Sequence, residues 1–128
     1  MAILLEVSPG ELIDKMTILE IKLAKISTPA QLMNVRREYD LVERTFATAV
    51  ASTPALTDLI GQLKAANEAL WGIEDAIREH ERNKSFGESF VKLARAVYRT
   101  NDERAAVKRR INALLNSALV EEKSYSEY

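Results

Sequence analysis

Three groups of side chains in this sequence have the types and spacing to do chemistry: Glu11, Asp14 and Lys15; Asn67, Glu68 and Trp71; and Asn101, Arg104 and Lys108. Each group falls on a predicted helix. The third interrupts an apolar stripe that runs through Phe90, Leu93 and Val97 and resumes at Ile111, Leu114 and Ala118. Polar groups on a core-facing stripe are costly unless they are paired. At about 1.5 Å per residue, with the turn between the last two helices near residue 84, Asn101 falls opposite Asn67. Arg104 falls within a turn of Glu68, Asp14 is level with Arg104, and Glu11 is level with Lys108. Carboxylates, amides and cations beside an indole make either a ligand pocket inside a bundle or a salt-bridge network that fixes helix register.

The remaining inventory narrows the chemistry. With no Cys, the chain has no disulfide, thiol nucleophile or thiolate metal site. The single His, His80, stands between Glu79 and Glu81 and reads as a solvated residue near a helix end. A di-metal bundle site needs Glu-x-x-His, and Ile77 occupies the position of that Glu. All-α nucleotide pyrophosphatases gather Mg²⁺ with Glu-x-x-Glu and Glu-x-x-Asp turns. Glu11-Leu12-Ile13-Asp14 fits the second, but no Glu-x-x-Glu occurs. Each candidate carboxylate has a cation at neighbouring height, which favours neutralised pairs over a metal cage, so no metal and no cofactor is expected. Lys and Arg number 18 against 19 Asp and Glu, a net charge of −1. That balance argues against nucleic acid as a partner, and Asp102-Glu103 and Arg109-Arg110 read as an exposed charged face. No window approaches about 18 uncharged apolar residues, so no membrane span is expected. Met1–Val7 is too short for a signal peptide, and the expected location is the cytoplasm.

The elements that must position these residues are marked by punctuation. All three prolines follow a hydroxyl residue, as Ser8-Pro9, Thr28-Pro29 and Thr53-Pro54. A hydroxyl at the N-cap accepts from an orphan amide, and proline at the next position has none to satisfy. Ser8 with Glu11, Thr28 with Gln31 and Ser85 with Glu88 add capping boxes. Four helices follow, over about 9–26, 29–51, 54–82 and 86–117. Their stripes have helical period: Leu12, Met16, Leu19, Leu23 and Ile26; Leu32, Val35, Tyr39, Val42 and Phe46; Leu59, Leu63, Ala66, Leu70, Ile73 and Ile77. Short joints make neighbours antiparallel. The expectation is an all-α fold, a single domain over 1–128, built as an antiparallel four-helix bundle. Short extended segments at both termini, Ile3–Val7 and Leu119–Lys123, meet at one pole where they can pair.

Helix lengths add a partner. At about 1.5 Å per residue the four helices are about 27, 35, 43 and 48 Å long, so the hairpin of the last two projects about 10 Å beyond the first two. That tip carries Ile77, Phe86, Phe90 and Val91. An apolar patch of this kind marks a contact surface, and a homodimer through the tip is expected.

Two resemblances complete the reading. The stretches Ser8-Pro9-Gly10-Glu11-Leu12-Ile13-Asp14-Lys15, Asn67-Glu68-Ala69-Leu70-Trp71 with Ile73-Glu74-Asp75, and Val97-Tyr98-Arg99-Thr100-Asn101-Asp102-Glu103-Arg104 are joined by the tail Glu121-Glu122-Lys123-Ser124-Tyr125. Together they resemble a family of small bacterial proteins that form a domain of unknown function. The resemblance implies a stand-alone bacterial domain and supplies no activity. Glu11-Leu12-Ile13-Asp14-Lys15 followed by Ile18-Leu19-Glu20-Ile21 also resembles the first helix of chorismate-mutase-like bundles, which bind a dicarboxylate without metal, but it carries no Arg. The leading expectation is a helical binding or assembly module that is not itself an enzyme, with a polar cluster inside the bundle. The alternative is a small metal-independent enzyme or sensor acting on an anionic metabolite.

Overall fold

Proline starts three of the helices where the sequence places them. In the computed structural model, which describes residues 1–128, the elements are α1 (Pro9–Lys25), α2 (Pro29–Ala49), α3 (Pro54–Arg82) and α4 (Glu88–Leu114). Ser8 Oγ accepts from the Glu11 amide at 3.2 Å and Thr53 Oγ1 from the Leu56 amide at 3.2 Å. Thr28 makes no such bond, and α2 starts on Pro29 without a side-chain cap.

The fourth start differs from expectation. α4 begins at Glu88 with Gly87 as its N-cap, and the Ser85–Glu88 box does not form. The end of α3 claims Ser85 first. The Ser85 amide donates to the His80 carbonyl at 2.9 Å and the Lys84 amide to the Glu81 carbonyl at 3.1 Å, the paired bonds of a Schellman turn. This turn sets Lys84 at φ 54°, in the left-handed region. The same device stops α4 at Leu114, three residues early. Ser117 donates to Asn112 and Asn116 to Ala113, with Asn116 at φ 53°.

The two extended ends do not pair. Neither is a strand, and no backbone hydrogen bond joins Ile3–Val7 to Leu119–Lys123. Side chains fix the course of the tail along α4 instead. Glu121 takes Lys108, Glu122 takes Arg109 at 3.3 Å, and the Tyr128 hydroxyl donates to Asp102 at 2.5 Å.

The four helices form the expected all-α bundle with α1 as its hub. The backbone of α1 approaches all three other helices, whereas α2 approaches α1 alone. This explains why a single stripe does not describe α1: Gly10, Ile13, Asp14, Met16, Thr17, Leu19 and Ile21 are all buried, around most of its circumference. α2, touching one neighbour, buries only Val42. The core joins Ile13, Met16 and Leu19 to Val42, Leu56, Leu63, Val107 and Ile111. Burial then stops. From Glu68 on α3, round the turn, to Ala106 on α4, no residue is buried. Beyond Ile21 of α1, which reaches the level of Arg78, and the ring of Tyr128, which packs on Tyr98, the tip of the α3–α4 hairpin has only itself to pack against. No helix is long and apolar enough to cross a membrane.

The left-handed turn yields a test. A non-glycine residue there costs about 1–2 kcal/mol, less for Asn, whose short side chain bonds locally. Lys84→Gly is expected to stabilise the chain by about 0.5–1 kcal/mol after glycine's own entropic cost, and Asn116→Gly by less, as read by urea denaturation.

Candidate functional site

Asp14 lies in the second turn of α1, one turn from Gly10 and beside the buried Ile13 and Thr17, so the hub helix carries it into the core. It is 1% exposed. A carboxylate there needs charge and hydrogen bonds together. Arg104 supplies both from α4. Its Nε donates to Oδ1 at 2.9 Å and its Nη2 to Oδ2, a two-point fork. Asn67 of α3 donates through Nδ2 to Oδ1 at 2.9 Å and to Thr17 Oγ1 at 3.0 Å. Thr17 donates in turn to the Asp14 carbonyl at 2.8 Å.

One turn along α4, Lys108 Nζ donates to Glu11 Oε2 and to Glu121 Oε2, each at 2.9 Å, and stands 3.9 Å from Asp14 Oδ2. One turn further, Asn112 Oδ1 accepts the Gly10 amide at 2.8 Å, satisfying an orphan donor of α1 from another helix. That closeness depends on glycine: a Cβ at Gly10 would lie 2.8 Å from the Lys108 carbonyl and 2.9 Å from Asn112 Oδ1.

The titration behaviour follows from these contacts. Burial pushes Asp14 up, but hydrogen bonds from Arg104 and Asn67 and the charges of Arg104 and Lys108 outweigh it, and the carboxyl sits below its ordinary value. Burial likewise pushes Lys108 down, and its bonds to Glu11 and Glu121 hold it above its ordinary value. The hydrogen bond to Asp14 raises Arg104, and the bond from Lys108 lowers Glu121.

The structure thus gathers Glu11, Asp14, Asn67, Arg104 and Lys108 from the residues singled out in the sequence. It leaves out Lys15, which points to α2 and pairs with Glu38 at 3.0 Å, and Glu68, which is exposed and joins no ion pair. Asn101 is partly buried and makes no hydrogen bond through its side chain, so it does not meet Asn67. Four members were missed. Thr17 and Asn112 had a signal: Thr17 is three residues from Asp14, and Asn112 continues the four-residue step from Arg104 through Lys108. Gly10 and Glu121 had none in the periodicity.

Trp71 stands beside the cluster, not within it. With Ile18, Ile21 and Leu70 it walls an open cleft of about 470 Å³ whose floor is Asn67 and Arg104. No hydrogen bond in the chain uses Asn67 Oδ1, Arg104 Nη1 or Trp71 Nε1. Every buried side-chain polar atom has a partner, so these three atoms reach solvent. Glu74 and Arg78 pair on the rim, and Asp75 beside them has no cation. Two cations and three carboxylates, counting Asp14, therefore bear on the cleft. No three His, Asp or Glu side chains gather to hold a metal.

At the hairpin tip, Phe86 and Phe90 meet edge to face at 5.3 Å, and Phe86 and Val91 are each 50% exposed. Ile77 and Phe90 are partly buried. His80 is partly buried too, not solvated as expected, because its Nδ1 turns back to the Ala76 carbonyl at 2.9 Å.

The chain belongs to a family of unknown function (DUF6165), whose model matches residues 3–128. No curated protein and no solved structure matches it.

The ion pair sets two expectations. Arg104→Ala strands a buried carboxylate and is expected to cost about 3 kcal/mol in urea denaturation, the low end for an opened buried pair, because water enters where the partly exposed guanidinium stood. Asp14, with its folded pKa depressed, contributes stability above its unfolded value near 3.8. That contribution is lost as pH falls from there through the lower folded value. The pH-dependent loss of stability below pH 3.8 is expected to be shallower in Asp14→Asn, which is the less stable protein at neutral pH.

Proposed function

We propose that this chain is a binding module whose recognition surface is the Trp71 cleft, and that its occupant is an apolar or aromatic group that is neutral or cationic. One observation carries this reading: three unpartnered polar atoms, Asn67 Oδ1, Arg104 Nη1 and Trp71 Nε1, line an apolar-walled cleft. A few polar groups set into apolar walls are the usual composition of a ligand pocket.

The charges support the sign of the occupant. Arg104 is neutralised by Asp14, Arg78 by Glu74, and Asp75 is left over. An indole beside an unpaired carboxylate suits an ammonium or guanidinium group. The same bonds argue for binding without turnover. A general base works best with a pKa near the working pH, and Asp14 is held below its ordinary value and engaged at both oxygens.

Trp71 is the only tryptophan, so its emission reports on the cleft directly. Phenethylammonium and 2-phenylethanol are expected to shift that emission saturably, and phenylacetate to do so at least several-fold more weakly. Asp75→Asn should remove the preference for the ammonium over the alcohol. Tighter binding of phenylacetate, lost in Arg78→Gln, would overturn this reading and make the cleft a site for an anionic metabolite.

A further inference from the structure

The molecule exposes more surface than its size explains. Its accessible area is 9051 Å², against about 6,800 Å² for a compact monomer of 14.4 kDa. The excess, about 2,200 Å², is the area that one partner contributes to a large obligate interface. The extended ends, α2 and the distal hairpin share it: α2 buries only Val42, and no residue between Glu68 and Ala106 is buried. Two helices alone cannot enclose a core, whereas two such hairpins laid together make a four-helix layer.

We infer that the cleft is filled by the hairpin tip of a second copy of this chain, Lys84 and Phe86 of each copy entering beside Trp71 and Asp75 of the other. This inference rests on the reading of the cleft given above and names its occupant. The tip has the chemistry that the cleft selects. Phe86 is half exposed and steadied by its edge contact with Phe90. Lys84 at the tip joins no ion pair, and neither does Asp75 at the cleft, so a cation and a carboxylate are each free to pair where the two surfaces meet.

The geometry closes on a two-fold axis. Trp71 and Lys84 are about 20 Å apart along α3 at 1.5 Å per residue. Antiparallel overlap that puts residue 84 of one copy level with residue 71 of the other centres the axis between Ile77 and Arg78. Each tip then meets a cleft and each cleft a tip, the reciprocal contact that a closed dimer requires. The competing surface is the extended arm Ile3–Val7, whose Ile3, Leu4 and Leu5 are more exposed than Phe86. A two-stranded ribbon is marginal on its own, whereas the rigid hairpin loses little freedom on docking.

The chain has no cysteine, which permits a direct test of position. Wild-type protein is expected to sediment at twice the chain mass at tens of micromolar. Arg78→Cys should cross-link under mild oxidation, because that exposed residue lies at the axis on the face that carries Trp71 and Asp75, while Leu5→Cys should not. Asp75→Lys and Lys84→Glu should each raise the dimer dissociation constant at least tenfold, and the double variant should recover most of the loss. Helical circular dichroism of each variant separates docking from folding. Phenethylammonium, occupying the same cleft, should shift dimer to monomer. Wild type that stays monomeric at several hundred micromolar overturns the inference, and so does failed charge-swap rescue. Cross-linking through Leu5→Cys with Arg78→Cys inert overturns it in favour of the arm. In each case a saturable Trp71 response to phenethylammonium leaves the cleft reading standing, and its absence removes that reading too.

Discussion

A carboxylate removed from water on a helix that touches three others has to be neutralised where it stands. Asp14 is in that position, and the order of the structure follows from the way it is met. Arg104 must come from α4 with its guanidinium edge-on, and Asn67 must come from α3 with its amide turned inward. These two contacts fix the heights of α3 and α4 against α1. Hydrophobic packing alone tolerates a slide of one turn between apolar stripes; a two-point fork does not. The buried pair serves less as a source of stability than as a constraint on register. Asn67 and Arg104 also form the floor of the Trp71 cleft, so the contacts that align the helices leave their spare polar atoms at the site.

The sequence showed the fold well where local rules decide. Proline and the hydroxyl before it mark three helix starts, and short joints dictate antiparallel neighbours. The fourth start was misplaced because Ser85 has two possible roles, capping α4 or closing α3, and the closing turn took it. Residue height on straight helices was enough to bring Asp14 to Arg104 and Glu11 to Lys108. It could not give rotation about the axis, which is why Lys15 and Glu68, at the right height, face away. Glu121 was beyond periodicity altogether. It sits in a tail without regular structure, and its place is set by the ammonium of Lys108, a contact between side chains that no local pattern announces.

The uneven burial of the hairpin has the same origin. α1 and α2 end well before α3 and α4 reach their turn, so the inner half of the hairpin is enclosed and the outer half is open. Where the enclosure stops, at Asn67, the lining changes from aliphatic side chains to an amide, an indole and a guanidinium. The cleft is the boundary between a finished core and an unfinished one. A boundary of this kind supplies both apolar walls and polar atoms, and its outer side stays open to solvent.

The bond from Gly10 to Asn112 spans nearly the whole chain, as do the contacts of Glu11 with Lys108 and of Asp14 with Arg104. A polypeptide emerging from the ribosome makes α1 first. It then waits through the synthesis of three further helices before the charge at residue 14 finds its guanidinium and the first turn finds its cap. Until then the hub helix is an amphipathic segment with an ionised residue on its most apolar side, and it has little reason to hold any partner firmly. Contacts of such long range slow folding. They also tie the two ends of the fold together: most of the apolar core lies on the first three helices, but the buried charge at residue 14 and the first turn of α1 are satisfied only when α4 arrives.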